Sequence, residues 1–117
     1  MTRSTKEVFE SHKEAIEKNN NEQLAADYAE DAILLTVDGS FVGKEAILDG
    51  FFRAMNSQYP DAKITFEKVA IEGDVCLLQW SAEASNATVP HGVAVFIIQD
   101  GLIQRQGEWF KIVPKES

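Results

Sequence analysis

Two side chains in this sequence sit where they can move a proton. His12 falls on the apolar stripe of a helical segment, with Val8, Phe9, Ala15 and Ile16 around it at three- and four-residue spacing. An imidazole titrates near neutral pH, so His12 can serve as acid, base or ligand donor; the plainer alternative is a core histidine that only packs. Glu108 shares strand parity with Gln106, so the two side chains leave the chain on one side. A carboxylate carried inside has its pKa raised by desolvation and becomes a competent base. The plainer alternative is an ion pair with Arg105, Arg53 or a lysine. Trp80 and Tyr28 are ligand platforms or simple core, Cys76 shares parity with Leu78 and Trp80 and reads as a small buried hydrophobe, and His91 reads as a rim or interface residue.

Other chemistry is excluded by what the chain lacks. Two histidines and one cysteine, all far apart, offer no metal-ligand spacing, and no glycine-rich phosphate loop is present, so neither metal nor cofactor is expected. Nineteen acidic against eleven basic residues leave a net charge of -8, a field that repels a phosphate backbone; no nucleic acid partner is expected. No apolar run approaches the roughly 20 residues that span a bilayer, so no membrane helix is expected. The first seven residues carry no apolar core of the signal-peptide type and a lone cysteine suits a reducing compartment, so the expected location is the cytoplasm. Asn86-Ala87-Thr88 matches a glycosylation acceptor, which carries no weight without a secretion signal. At 117 residues the chain is expected to form one domain over 1–117.

The elements that position these groups divide the chain into a helical first half and a strand-rich second half, the α+β pattern. Ser4 and Glu7 predict a capping box opening the first helix. Asn19-Asn20-Asn21 ends that helix and caps a short second one, whose apolar side carries Leu24, Ala25 and Tyr28. Ala32 to Val37 reads as a strand, Asp38-Gly39 as a turn, and Ser40-Phe41-Val42 as its return. Beyond Gly43 a third helix shows a wide stripe of Ile47, Leu48, Phe51, Phe52 and Met55, ended by Tyr59-Pro60-Asp61. Three long strands follow: 62–72 and 75–85 around the Gly73-Asp74 turn, then 91–99, with 102–113 closing the chain after Asp100-Gly101. Alternation in the first of these changes phase after Phe66, which predicts a bulge near Glu67-Lys68. The run Val93 to Ile98 is apolar at both parities, so both faces of that strand should be covered, the outer one by a second copy.

Tyr28-Ala29-Glu30-Asp31-Ala32, Gly43-Lys44-Glu45-Ala46-Ile47 and Gly92-Val93-Ala94-Val95-Phe96 before Asp100-Gly101-Leu102-Ile103 occur in an order and spacing that resembles the NTF2-like superfamily over nearly the whole chain. The nearest resemblance within it is to SnoaL-like domains. That resemblance implies a cone-shaped α+β barrel, with three N-terminal helices packed on a strongly curved, mainly antiparallel sheet. It implies a pocket for a small apolar or aromatic molecule lined by His12, Tyr28, Phe52, Met55, Trp80, Ala94 and Gln106. The two-faced apolar strand, apart from the resemblance, predicts a homodimer through the outer sheet face around Val93, Val95 and Ile97.

The superfamily holds cyclases, isomerases, dehydratases and purely associative domains, so the fold does not choose the function. The acid and histidine that SnoaL-type cyclases carry in the final hairpin fall on Ala94 and Gln106. The base of ketosteroid isomerases falls on Thr36, and their oxyanion donors fall on His12 and Ala94. The standard proton-transfer set is absent. The expectation is therefore a binding domain. The alternatives are an isomerase, cyclase or dehydratase using His12 or Glu108 as acid or base, and a protein-association domain.

Overall fold

A computed structural model describes residues 2–116. Helix α1 spans Thr5–Glu17; the Ser4 hydroxyl accepts from the Glu7 amide at 3.1 Å while the Glu7 carboxylate accepts from the Ser4 amide at 2.8 Å, the expected capping box. Its buried face is Val8, Phe9, His12 and Ala15. Helix α2 is shorter, Asn21–Ala26, capped by the Asn20 side chain on the Gln23 amide. Helix α3 begins as Lys44–Ala46, widens to a π form over Ile47–Arg53, and narrows again over Ala54–Gln58. That wide stretch carries Phe51 and Phe52.

Seven strands form one curved mixed sheet: β1 Tyr28–Thr36, β2 Gly39–Val42, β3 Lys63–Glu72, β4 Val75–Glu83, β5 Ala87–Gln99, β6 Leu102–Phe110 and β7 Val113–Pro114. The spatial order is β2-β1-β6-β5-β4-β3, with β7 on β5; β1 and β6 run parallel and every other pair antiparallel. The sheet stays open, with β2 and β3 as its edges, and the helices pack on its concave side. Val8 and Phe9 of α1 meet Leu34, Leu78, Phe96 and Ile103 of the strands in one apolar cluster that also takes in Ile47. This is the α+β class expected from the element order and the cone that the family resemblance implies.

Three details depart from the sequence reading. Tyr28 opens β1 instead of closing the second helix, because α2 stops at Asp27, whose carbonyl accepts the Ile103 amide at 2.8 Å and sends the chain alongside β6. The strand expected from His91 begins at Ala87, because Thr88 and Val89 pair with β4 while Ala87 and Thr88 pair with β7. The last strand breaks after Phe110, and Val113–Pro114 crosses to β5. The bulge lies where predicted: pairing passes from Phe66 opposite Trp80 to Lys68 opposite Gln79, so Glu67 is the extra residue.

The narrow end is closed by polar bonds. Asp27 is fully buried, accepts from Ser11 Oγ and pairs with Arg3 at 2.8 Å, while Arg3 also donates to the Gly101 carbonyl. A buried carboxylate needs such partners, and they tie the start of α1 to the β5–β6 turn.

Candidate functional site

Between α1, α3 and the concave sheet face lies a cavity of about 440 Å³. Phe51, Phe52 and Met55 of α3, Phe66 of β3, Trp80 and Ala82 of β4, and Phe110 of β6 are among the apolar residues of its wall. Exposed Glu17, Asn19, Asn21 and Asn56 border it, so that rim opens to water. Its polar wall is made by His12, Gln106 and Glu108.

Gln106 and Glu108 lie on β6 opposite Phe96 and Ala94 of β5. The Tyr28 hydroxyl donates to Gln106 Oε1, and Gln106 Nε2 donates to Glu108 Oε2 at 2.6 Å. A phenol has one hydrogen to give, so this bond orients the amide, and the amide then meets the carboxylate with its NH2. Glu108 Oε1 is left buried without a partner. Glu108 as a whole residue keeps partial contact with solvent, but Oε1 is shut off from water, and the carboxyl's own surroundings govern its proton affinity. Burial raises the Glu108 pKa from 4.5 to about 7, against opposing hydrogen bonding from Gln106 and Trp80. The Gln106 bond is fully formed; Trp80 closes no bond on Oε1. Burial also pushes Tyr28 well above its ordinary range, reinforced by the charges of Glu108 and Asp27, so Tyr28 stays protonated and keeps donating.

His12 is enclosed by the rings of Phe96 at 5.2 Å, Tyr28 at 5.8 Å and Phe52 at 6.2 Å, and its Nδ1 has no partner. This apolar box holds the pKa down at about 4. His12 is therefore neutral at pH 7, and the proton-exchanging group near neutrality is Glu108.

Of the residues expected around the pocket, His12, Phe52, Met55, Trp80 and Gln106 line the cavity, and so does Glu108. Tyr28 and Ala94 do not. Tyr28 is buried and meets the cavity wall from behind, bonding to Gln106 and packing its ring against His12 and Phe52. Ala94 is closed over by Leu78 and Glu108 on either side, and its methyl is too short to emerge. Thr36 bonds within the β1–β2 turn, His91 is exposed, and the Cys76 thiol is buried with its pKa raised to about 11, which leaves it inert. The ion pair weighed for Glu108 is not formed: Arg53 pairs with Asp49 on its own helix, and Arg105 donates to the Gln104 carbonyl. Phe110 was not anticipated as wall, although it shares strand parity with Gln106 and Glu108. Among the described residues no cluster of three or more His, Cys, Asp or Glu could hold a metal, and no helix is long and apolar enough to cross a membrane.

Trp80 is seated by an absence of side chain. It pairs with Gly92 across β4–β5, and a Cβ on Gly92 would come within 2.3 Å of the indole ring. Gly92→Ala is expected to swing the indole out of this seat, changing tryptophan emission and weakening cavity binding by tenfold or more (roughly the effect of overpacking by 1–3 kcal/mol). Titration of both proteins with a cavity ligand checks this; unchanged affinity would show that Trp80 does not shape the site.

A family profile for the SnoaL-like domain matches residues 9–106. No curated protein matches the chain. Solved structures share the fold at low identity. An NTF2-like protein of unknown function from Burkholderia pseudomallei superposes with a TM-score of 0.81 at 14% identity, covering 94% of this chain and 92% of its own. TerC, co-crystallized with polyporic acid, gives 0.79 at 13%, covering 92% and 91%. An LEH-like epoxide hydrolase of M. tuberculosis gives 0.72 at 15%, covering 92% and 82%. With its cone, its cavity and the profile match over most of its length, the chain belongs to the SnoaL-like domain family.

Proposed function

We propose that this chain binds a small apolar or aromatic molecule in the cone cavity and works as a homodimer through the outer face of the sheet. The observation that carries the binding reading is the cavity itself: a mostly apolar wall rich in aromatic rings, with Gln106 and Glu108 among the polar groups set into it. Its volume lies within the roughly 300–1,000 Å³ of small-molecule sites. TerC, which shares this fold, was co-crystallized with polyporic acid. The outer face supports the second part. Leu35, Leu77, Val93, Val95 and Trp109 stand exposed there, a contiguous apolar area of the sort that interfaces cover.

A neutral apolar dye, N-phenyl-1-naphthylamine, is expected to brighten saturably with one site per chain. Ala82→Trp, which fills the cavity from β4, should abolish that signal. A filled variant that still takes up the dye would place binding elsewhere.

A second reading is favoured by one observation, the unpartnered Glu108 oxygen with a pKa near 7. On this reading the domain catalyses a proton transfer of isomerase, cyclase or dehydratase type with Glu108 as base, while neutral His12 serves as a donor to a carbonyl.

A further inference from the structure

We propose that the cavity selects a neutral aromatic alcohol, a phenol or enol, whose hydroxyl hydrogen is received by Glu108 Oε1. The proposal rests on the cavity-binding reading and names its ligand class. Three observations support it.

The first is the fixed polarity of the Tyr28–Gln106–Glu108 chain. Tyr28 gives its only hydrogen to Gln106 Oε1, so the amide cannot turn without breaking that bond, and Gln106 Nε2 occupies Glu108 Oε2. Gln106, the side chain that donates to the carboxyl, is thereby committed, and Oε1 is the carboxyl oxygen left over. A buried acceptor without a partner favours any ligand that supplies a hydrogen.

The second is the wall. Phe51, Phe52, Phe66, Trp80 and Phe110 present ring edges and faces from three sides, which suits a flat aromatic body.

The third is charge. A ligand carboxylate would face Glu108 inside and Glu17 at the rim of a chain of net charge -8, with exposed Lys63 the only lysine or arginine on the described lining to offset them. A ligand ammonium would have to lose its water to form an ion pair in an apolar cavity, which offsets most of the attraction. A neutral hydroxyl meets neither obstacle.

The test is displacement of N-phenyl-1-naphthylamine by four naphthalenes of like size: 2-naphthol, 2-methylnaphthalene, 2-naphthoate and naphthylmethylammonium. At pH 8, where the Glu108 carboxyl with its pKa of about 7 is ionised, wild type should bind 2-naphthol about tenfold or more tighter than 2-methylnaphthalene, the effect of one hydrogen bond to a charged acceptor. Glu108→Leu, close in volume, should bring that ratio to about one while still binding 2-methylnaphthalene. Tyr28→Phe should shrink the ratio partway, because the Gln106 amide is released to turn; a purely structural loss would weaken both ligands equally. The proposal is overturned if 2-naphthol shows no preference in wild type, if its preference survives Glu108→Leu, or if either charged ligand binds tightest. In each of those cases dye and 2-methylnaphthalene binding would leave the cavity reading standing. Only failure of all four to displace the dye, with the dye itself unaffected by Ala82→Trp, would remove that reading as well.

Discussion

Glu108→Gln is expected to make the folded protein more stable at pH 8, by about 2–3 kcal/mol, and to leave it almost unchanged at pH 5. Burial raises the Glu108 pKa from 4.5 to about 7, so between those values the folded state holds a proton that the unfolded chain has lost. Wherever the folded state binds more protons, stability falls as pH rises. At about 1.4 kcal/mol per pKa unit the accumulated loss approaches 3 kcal/mol by pH 8, somewhat less with partial solvent contact, and is under about 1 kcal/mol at pH 5. His12 acts in the opposite sense. Its pKa falls from 6.5 to about 4, so over that range the unfolded chain holds the extra proton and stability rises with pH. From pH 4.5 to 6.5 the two contributions cancel in the wild type, and above 6.5 only the Glu108 loss continues. In Glu108→Gln the His12 rise stands alone and levels off near pH 6.5. Any fixed gain or loss from the new amide's own bonds is independent of pH. Urea unfolding at a series of pH values measures the difference; a variant advantage that does not grow from pH 5 to pH 8 would mean Glu108 titrates as an ordinary surface carboxylate.

Val95→Lys is expected to convert the protein from dimer to monomer at tens of micromolar (roughly, the range of ordinary weak association). Val95 lies mid-row on the outer face, between Leu77 of β4 and Gly107 of β6, with Leu35 of β1 beyond Gly107. The neighbouring row sets Val93 beside Trp109. Val93 and Val95 are 40% and 38% exposed in the isolated chain, although their alternate neighbours Ala94 and Phe96 are buried. An ammonium in the middle of that band loses several kcal/mol on desolvation, enough for a hundredfold or greater weakening. The lysine points away from the cavity, so dye binding by the monomer should persist if the two faces act independently. Sedimentation velocity decides the matter; a wild type that is monomeric at about 50 μM (a concentration well inside the weak-interface range) or a variant that remains dimeric would contradict the interface.

What was legible in the sequence was local. The phase change from Phe66 to Val69 exposed the bulge at Glu67, and Ser4 with Glu7 marked the start of α1, because each signal sits within a few residues. Tyr28 went astray for the same reason. It fits a helical spacing with Leu24 and Ala25, and what places it on a strand is the bond from Ile103 to the Asp27 carbonyl, 76 positions away by sequence number. The site shows this contrast most clearly. The parity of Gln106 and Glu108 pointed both inward, but Tyr28 and Gln106 meet only through the parallel pairing of β1 with β6. Glu108 sits in an apolar setting because β6 turns it onto the cavity wall, whereas Arg53 and Arg105 are exposed and off that wall, Arg53 on Asp49 one helical turn before it. The choice between ion pair and isolated carboxyl depended on geometry that no spacing encodes.

The cavity reading is tested most directly by the two tryptophans, which occupy adjacent rows of the sheet on opposite faces. Trp80 lines the cavity and Trp109 stands on the outer surface. Their indole N–H signals in a proton–nitrogen spectrum, assigned with Trp109→Phe, report each face separately. On titration with 2-methylnaphthalene the Trp80 signal should shift saturably while the Trp109 signal holds still. A moving Trp109 signal with Trp80 unchanged would put the ligand on the outer face and contradict the account.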